Sequence, residues 1–208
     1  MRNKQPGSSG FSTAELLVSM VIMLVIMSVA STLFSRSLST RLRESSRTDA
    51  LTSAQAALNV ISREIANSGY GLTGNGIVIA DSDPGKLHFQ SNIKNDNDIF
   101  TDPGENLTYY WNPETQSVLR YDPNGNGLNV PQTSVIINRI SSLSFLYYDY
   151  IGTSPPVGPN LVPTVNTTRV RVTVSVLLER VSGQVNPQSV ILVSDVTLRN
   201  SDFMLRQY

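Results

Sequence analysis

A long apolar run dominates the N-terminal part of the chain and extends from Leu16 to Ser35. It contains no charged residue, proline or glycine, and a helix of about 20 residues at about 1.5 Å rise covers a hydrocarbon core of roughly 30 Å. We therefore expect a membrane-spanning helix here. Glu15 stands directly before the run. Because an unpaired carboxylate in lipid costs a few kcal/mol, we expect Glu15 to need a partner that its own helix does not offer.

The helical pattern continues beyond the apolar run and changes character. Residues 36–68 contain neither proline nor glycine and lead to Gly69, which suits the left-handed position at a helix end. Apolar residues recur three and four positions apart and form one stripe, which consists of Ala50, Ala54, Ala57, Leu58, Ile61 and Ile65. The opposite face is polar. The sequence therefore predicts one continuous helix from about residue 12 to 68, apolar in its first half and amphipathic in its second.

Strand periodicity replaces helical periodicity after this helix. Strands are predicted at residues 77–80, 87–90, 107–111, 118–121, 169–176 and 189–198, with at least one more inside 136–150. One hairpin is predicted from strands 107–111 and 118–121, and a second from strands 169–176 and 189–198. Four prolines assign residues 152–166 to a long surface loop. Valines alternate along 169–176, and we expect their face to receive the helix stripe, which predicts an α+β fold with a helix on an antiparallel sheet.

Composition narrows the functional classes. The chain has 208 residues, enough for the helix and one further domain, and its formal net charge is zero. Zero net charge argues against a nucleic-acid partner. The chain contains no cysteine, which excludes disulfides and thiolate metal sites. His88 is the only histidine, and no Gly-x-Ser-x-Gly or phosphate-binding glycine loop is present, so we predict no catalytic residue and no enzymatic activity.

Two oxygen-rich stretches raise the question of calcium. Residues 122–127 match the start of an EF-hand loop, but Thr133 occupies the twelfth position where glutamate is expected. Asp, Asn and Gly also suit a tight turn, which is the preferred interpretation. The second stretch, residues 95–98 with Asp102 and Glu105, is more acidic and is interpreted as a solvated loop. We predict no resident metal or cofactor, with calcium at these stretches as the alternative.

The first fifteen residues carry a family resemblance. A short leader with Arg2 and Lys4 ends at Gly10 and Phe11, and Glu15 is the fifth residue after Gly10. This arrangement before an uncharged helix resembles the N-terminus of type IV prepilins and of the related pseudopilins of type II secretion. The resemblance implies that a prepilin peptidase cuts between Gly10 and Phe11 and methylates the new amine of Phe11. It also implies that Glu15 meets the amine of a neighbouring subunit during assembly.

Later segments narrow the resemblance to PilW-type minor pilins and the similar J-type pseudopilins. These segments are residues 63–70, 119–121, 140–148 and 196–200. The lack of cysteine and of a proline kink departs from many major pilins. The resemblance implies a pilin-like fold, other minor pilins and the major pilin as partners through the N-terminal helix, and a non-enzymatic role in starting pilus assembly near the tip. A J-type pseudopilin of type II secretion is the alternative within this class, and gene neighbourhood would separate the two.

The resemblance also implies an organisation and a location. Residues 1–10 form a leader peptide, 11–35 the transmembrane half of the helix, 36–69 its amphipathic half and 70–208 a β-rich domain. The protein is then a single-pass protein of the bacterial inner membrane with this domain outside the cytoplasm, and part of the pilus after assembly. The positive-inside rule favours the opposite orientation, because two basic residues precede the helix and four follow it closely. The outward placement rests on the resemblance alone.

Two other interpretations of the N-terminus remain open. An ordinary secretory signal would use the small residues Ser28 and Ala30 as its cleavage site and release a β-rich binding domain. A plain signal anchor would keep the whole chain. The long polar leader and the position of Glu15 argue against both.

We expect the mature protein to begin at a methylated Phe11, as measured by mass spectrometry of its N-terminal peptide. Signal cleavage would instead give a peptide that begins at Ser31, and a signal anchor would give one that begins at Met1. Either of those masses would exclude prepilin processing at Gly10.

Overall fold

The structure is a computed structural model that describes residue 10 and residues 12–94, 100–152, 156–178 and 189–205. The contacts divide the chain into two compact units, Met1–Ser45 and Ser46–Tyr208. Each unit is described by itself. The first consists of the N-terminal part of one helix, and the second contains the rest of that helix and the strands.

The described elements follow the chain in a simple order. Helix α1 spans Thr13–Ala66, and a short 3-10 turn spans Ile79–Asp81. Eight strands follow, which are β1 (Lys86–Gln90), β2 (Asn106–Asn112), β3 (Ser117–Asp122), β4 (Gln132–Ile137), β5 (Ile140–Asp149), β6 (Val157–Asn160), β7 (Thr167–Leu177) and β8 (Ser189–Thr197). The last element is the short helix α2, Asp202–Leu205.

Helix α1 confirms the predicted continuous helix. It has 54 residues, and its apolar stretch is long enough to cross a membrane, with none of that stretch buried against the protein. The helix ends before Gly69, which has φ +77° as predicted for a left-handed stop. A Cβ at Gly69 would lie 2.3 Å from the carbonyl oxygen of Gly74, so the tight turn that follows α1 requires glycine.

The second unit contains two antiparallel sheets rather than the single sheet that we expected. The first sheet has the order β1-β2-β3-β4 and the second the order β6-β5-β7-β8. The strand region predicted within 136–150 is divided by a two-residue turn, in which Arg139 has φ +61°. On one side of this turn β4 pairs with β3, and on the other side β5 pairs with β7.

The predicted hairpins are confirmed, whereas two other segments differ from their predictions. Strands β2 and β3 pair through Asn112 and Ser117, and β7 pairs with β8 along its length. The predicted strand at 77–80 is reduced to one bridge between Ile77 and Phe89, because the chain turns into the 3-10 helix. The predicted loop at 152–166 contains β6, which pairs with β5 at the edge of its sheet, where Pro159 needs no hydrogen-bonding N–H.

The core of the second unit joins α1 to both sheets. The helix stripe is buried and belongs to the same apolar cluster as the alternating valines of β7, which confirms the expected packing. The first sheet contributes the inward residues of its strands to this cluster, namely Leu87, Phe89, Leu107, Tyr109 and Val118. Trp111 donates its Nε1–H to the carbonyl of Ile140 at 3.0 Å and so connects the two sheets.

A charged network ties the helix to the first sheet beside this core. The carboxylate of Glu64 accepts hydrogen bonds from the Tyr109 hydroxyl at 2.5 Å and from Arg120 Nε at 3.0 Å. Arg120 also approaches Asp122 at 3.8 Å. Burial raises the pKa of Tyr109 well above its ordinary value, and the negative charge of Glu64 raises it further. The phenol is therefore held in its neutral, donating form.

We expect Ile61→Ala to lower the free energy of unfolding by about 2 to 5 kcal/mol, because Ile61 is fully buried in the stripe. The measurement is denaturant unfolding of the full chain in detergent, followed by fluorescence of the only tryptophan, Trp111. Val60→Ala is the matched control on the neighbouring exposed position and should change stability by no more than about 0.5 kcal/mol. Equal effects of the two substitutions would contradict the packing of the stripe.

Stability should fall as the pH rises above about 10, where an unfolded tyrosine loses its proton but the folded Tyr109 still holds it. The raised pKa contributes its full stabilisation below that pH. In Tyr109→Phe the decline between pH 9 and 11 should be smaller, and the remainder includes Tyr147, whose pKa is raised by its burial and by Asp83. Unfolding midpoints measured across this range test the prediction. An unchanged slope in the variant would refute it.

Candidate functional site

The start of α1 is held by a reciprocal pair of hydrogen bonds. Ser12 precedes the first helical residue, and its hydroxyl oxygen accepts the backbone N–H of Ala14 at 3.3 Å. The carboxylate of Glu15 in turn accepts the backbone N–H of Ser12 at 3.0 Å. These bonds form a variant of the capping box, in which the side chain before the helix satisfies the amide of the second helical residue and Glu15, the third, reaches back to the amide of Ser12.

The expectation that the helix offers Glu15 no partner was therefore wrong. The side chain folds back over the first turn and finds the Ser12 amide, and a carboxylate at this end is also stabilised by the helix dipole. An amide carries no formal charge, however. The negative charge of Glu15 is solvated by this contact but is not neutralised, so a cationic partner would still gain from meeting it in an apolar environment.

The other predicted site residues lie just before this cap. Gly10 is exposed, and no atom lies within 4 Å of the place where its Cβ would stand. The folding of the described residues therefore places no demand on a small residue at this position. Phe11, with its predicted cleavage and methylation, lies outside the described residues.

The helix presents an apolar surface on all sides after the cap. The large apolar side chains of the run Leu16–Ser35 are about half to three-quarters exposed, from Ile22 at 53% to Met23 at 72%. Two hydroxyls within this surface are satisfied by carbonyls four residues earlier in the same helix. Ser19 donates to Glu15 and Thr32 donates to Ser28, both at 2.8 Å. The surface is therefore suited to lipid or to other apolar helices.

His88 lies in β1 and is held on both sides. Its Nδ1 is 2.9 Å from the carboxylate of Asp81, and its Nε2 is 2.6 Å from the amide oxygen of Asn106. Lys86 pairs with the same carboxylate. Lys86 first, and then His88, lower the pKa of Asp81. The sequence did not indicate these contacts, since the two partners of His88 are 7 and 18 residues away along the chain.

In the stretch at 122–127, for which calcium binding was the alternative interpretation, side-chain oxygen atoms accept hydrogen bonds from the backbone. Asp122 accepts the backbone N–H groups of Asn124 at 3.0 Å and Gly104 at 2.7 Å. Asn124 accepts the N–H of Asn129 at 2.8 Å. These bonds agree with the preferred interpretation as a turn.

The second acidic stretch lies only partly within the described part of the chain. Residues 95–98 lie outside it, whereas Asp102 pairs with Lys94 and buried Glu105 accepts the Lys94 N–H at 3.1 Å. Within the part that the structure describes, no group of three or more Asp, Glu or His side chains has the spacing of a metal site. The prediction of no resident metal remains a prediction, and calcium at these stretches remains its alternative.

Comparison with known proteins adds nothing to this geometry, because no family model, curated protein or solved structure matches the chain. The structure places a capped but unneutralised carboxylate, Glu15, at the start of an uncovered apolar helix. Such a carboxylate can bind an amine or another cation, and such a helix can change its surroundings from lipid to protein.

Proposed function

We propose that this chain is a minor pilin of a type IV pilus, of the PilW type. It is a membrane-anchored, non-enzymatic subunit that helps to start fibre assembly near the tip. The observation that carries the proposal is Glu15, whose carboxylate lies in the first turn of a helix and directly before an uncovered, uncharged and mainly apolar run of about twenty residues. A soluble protein gains nothing from this combination, whereas a subunit that moves from membrane to fibre can use both parts.

The assembly step follows from charge and distance. Cleavage after Gly10 creates a positive amine on Phe11, one residue before the amide that Glu15 accepts. Glu15 is four residues from that amine, which corresponds to roughly 6 Å along the axis if the helical rise continues to the new N-terminus. A neighbour staggered by about one turn can therefore place its amine against the Glu15 carboxylate. The two charges neutralise each other in an apolar environment, where each alone would be costly.

The apolar surface of α1 supplies the second part of the step. In the membrane this surface faces lipid, and in a fibre it faces the helices of other minor pilins and of the major pilin. Small residues such as Ser31 and Ser35, four positions apart, allow close approach between such helices. The inner membrane and the prepilin peptidase are the remaining partners of this proposal.

Glu15→Ala should leave membrane insertion intact and lower incorporation into sheared fibres by about tenfold or more, because a lost buried ion pair costs several kcal/mol. The measurements are membrane fractionation and immunoblots of the fibre fraction. Glu15→Gln should be as defective as Glu15→Ala, although glutamine still serves as the acceptor of a capping box.

Ser12→Ala is the matched control for the cap. It removes the hydroxyl that accepts the Ala14 amide but keeps the carboxylate, so its incorporation should stay close to that of the wild type. The reverse pattern, with Glu15→Gln assembling normally and Ser12→Ala failing, would show that capping rather than charge matters. It would overturn the proposed role of Glu15.

A further inference from the structure

A pocket opens on the outward face of the first sheet, away from the core. Its volume is about 380 Å³, within the range of small-ligand sites but near its lower end. The lining residues come from three adjacent strands, the 3-10 turn and the turn after β3, and they are Asp81, Lys86, His88, Asn106, Thr108, Tyr110, Tyr121 and Pro123.

Strand register explains why these residues meet. Side chains alternate between the two faces of a strand, so residues directly opposite each other share a face. Lys86 lies opposite Tyr110, and Thr108 lies between His88 on one side and Tyr121 on the other. These cross-strand rows bring side chains far apart in sequence onto one surface.

The polar groups of the pocket are fixed before any ligand arrives. The buried Ser82 hydroxyl bonds to both the backbone N–H and the carbonyl of His88, at 3.0 and 3.1 Å, and so fastens the turn that carries Asp81 to β1. The His88 ring is then clamped between Asp81 and Asn106. A site with groups held in this way loses little side-chain entropy when a ligand binds.

Charge selects the class of ligand. The carboxylate of Asp81 is paired with the ammonium of Lys86, so neither a strong anion nor a strong cation finds an uncompensated partner. What the pocket offers instead is a close mixture of donors and acceptors, from an amide, a carboxylate, an ammonium, a threonine and two phenols. Such a mixture matches vicinal hydroxyl groups, each of which both donates and accepts.

Apolar surface completes the match. Tyr110, Tyr121 and Pro123 line the pocket beside these polar groups. A pyranose ring carries C–H groups on its faces and hydroxyls around its rim, so it can place a face against a tyrosine ring while its rim bonds to Asp81 and Asn106. Catalysis is disfavoured, because both nitrogens of His88 are already engaged.

We propose that this pocket binds a neutral pyranose sugar, with Tyr121 as the apolar platform and Asp81 as an acceptor of sugar hydroxyls. The site belongs wholly to the second unit. Sugar binding at this site does not depend on the proposed role in pili.

The test is saturation-transfer NMR on the full chain in a detergent without a sugar headgroup. The probes are methyl glycosides of glucose, galactose, mannose and N-acetylglucosamine, with methyl glucuronide and methyl sialoside as charged comparators. At least one neutral glycoside should bind. Tyr121→Ala and Asp81→Asn should each weaken that binding by about fivefold or more, which corresponds to one aromatic or hydrogen-bonding contact.

Two matched variants show whether the effect is specific. Tyr121→Phe keeps the ring and should bind almost as the wild type does. Tyr70→Ala removes an exposed tyrosine that does not line this pocket and should change nothing. Binding of a trisaccharide of the preferred sugar, compared with binding of its methyl glycoside, shows whether the natural ligand is a glycan chain or a single sugar. Binding of either form supports the site. The proposal is overturned if no neutral glycoside binds, if the charged comparators bind more tightly, or if a folded Tyr121→Ala binds equally well.

Discussion

Uncovered apolar surface is the constraint on which this molecule depends. The first unit exposes sixteen large apolar side chains between Leu16 and Leu42, and their contact with water is unfavourable. Lipid and other apolar helices are the environments that satisfy such a surface. The capped carboxylate of Glu15 lies directly before this surface, and the next formal charge along α1 is Arg36.

The same helix meets a second constraint beyond Ser45. Here its stripe is buried by two sheets, and Glu64 adds a charged contact with Arg120 and Tyr109 beside the apolar core. A polar group at the edge of a core fixes the rotation of the helix about its own axis. If the helix rotated, the hydrogen bond between Arg120 and Glu64 would break. Apolar contacts thus stabilise the second unit, and the polar network fixes the rotational position of the helix against the first sheet.

Local sequence patterns predicted much of the fold, whereas they did not predict which strands pair over long distances in the chain. The bounds of α1, its stop at Gly69 and the strong alternation of β7 are all encoded within a few neighbouring residues. Alternation does not say which strands pair, so the division into two sheets was missed, and the turn at Asn138 and Arg139 lacks the usual glycine. The prolines around β6 concealed an edge strand.

The candidate sites divide in the same way. Gly10, Phe11 and Glu15 were found through a local pattern, and the Ser12–Glu15 capping box was present in the sequence but was outweighed by the apolar run. The surroundings of His88 were not predictable, since Asp81 and Asn106 reach it through a turn and a neighbouring strand.

The hydroxyls of α1 have a mechanical consequence. Four of these hydroxyl groups donate a hydrogen bond to a backbone carbonyl of the same helix, namely those of Ser19, Thr32, Ser39 and Thr40. Rotation or sliding of this helix against a neighbour therefore breaks none of these four hydrogen bonds. Dispersion contacts re-form after each small displacement, so the apolar part of α1 can exchange one set of apolar neighbours for another. In the assembly proposed above, the Glu15 carboxylate would define the position at which the helix stops.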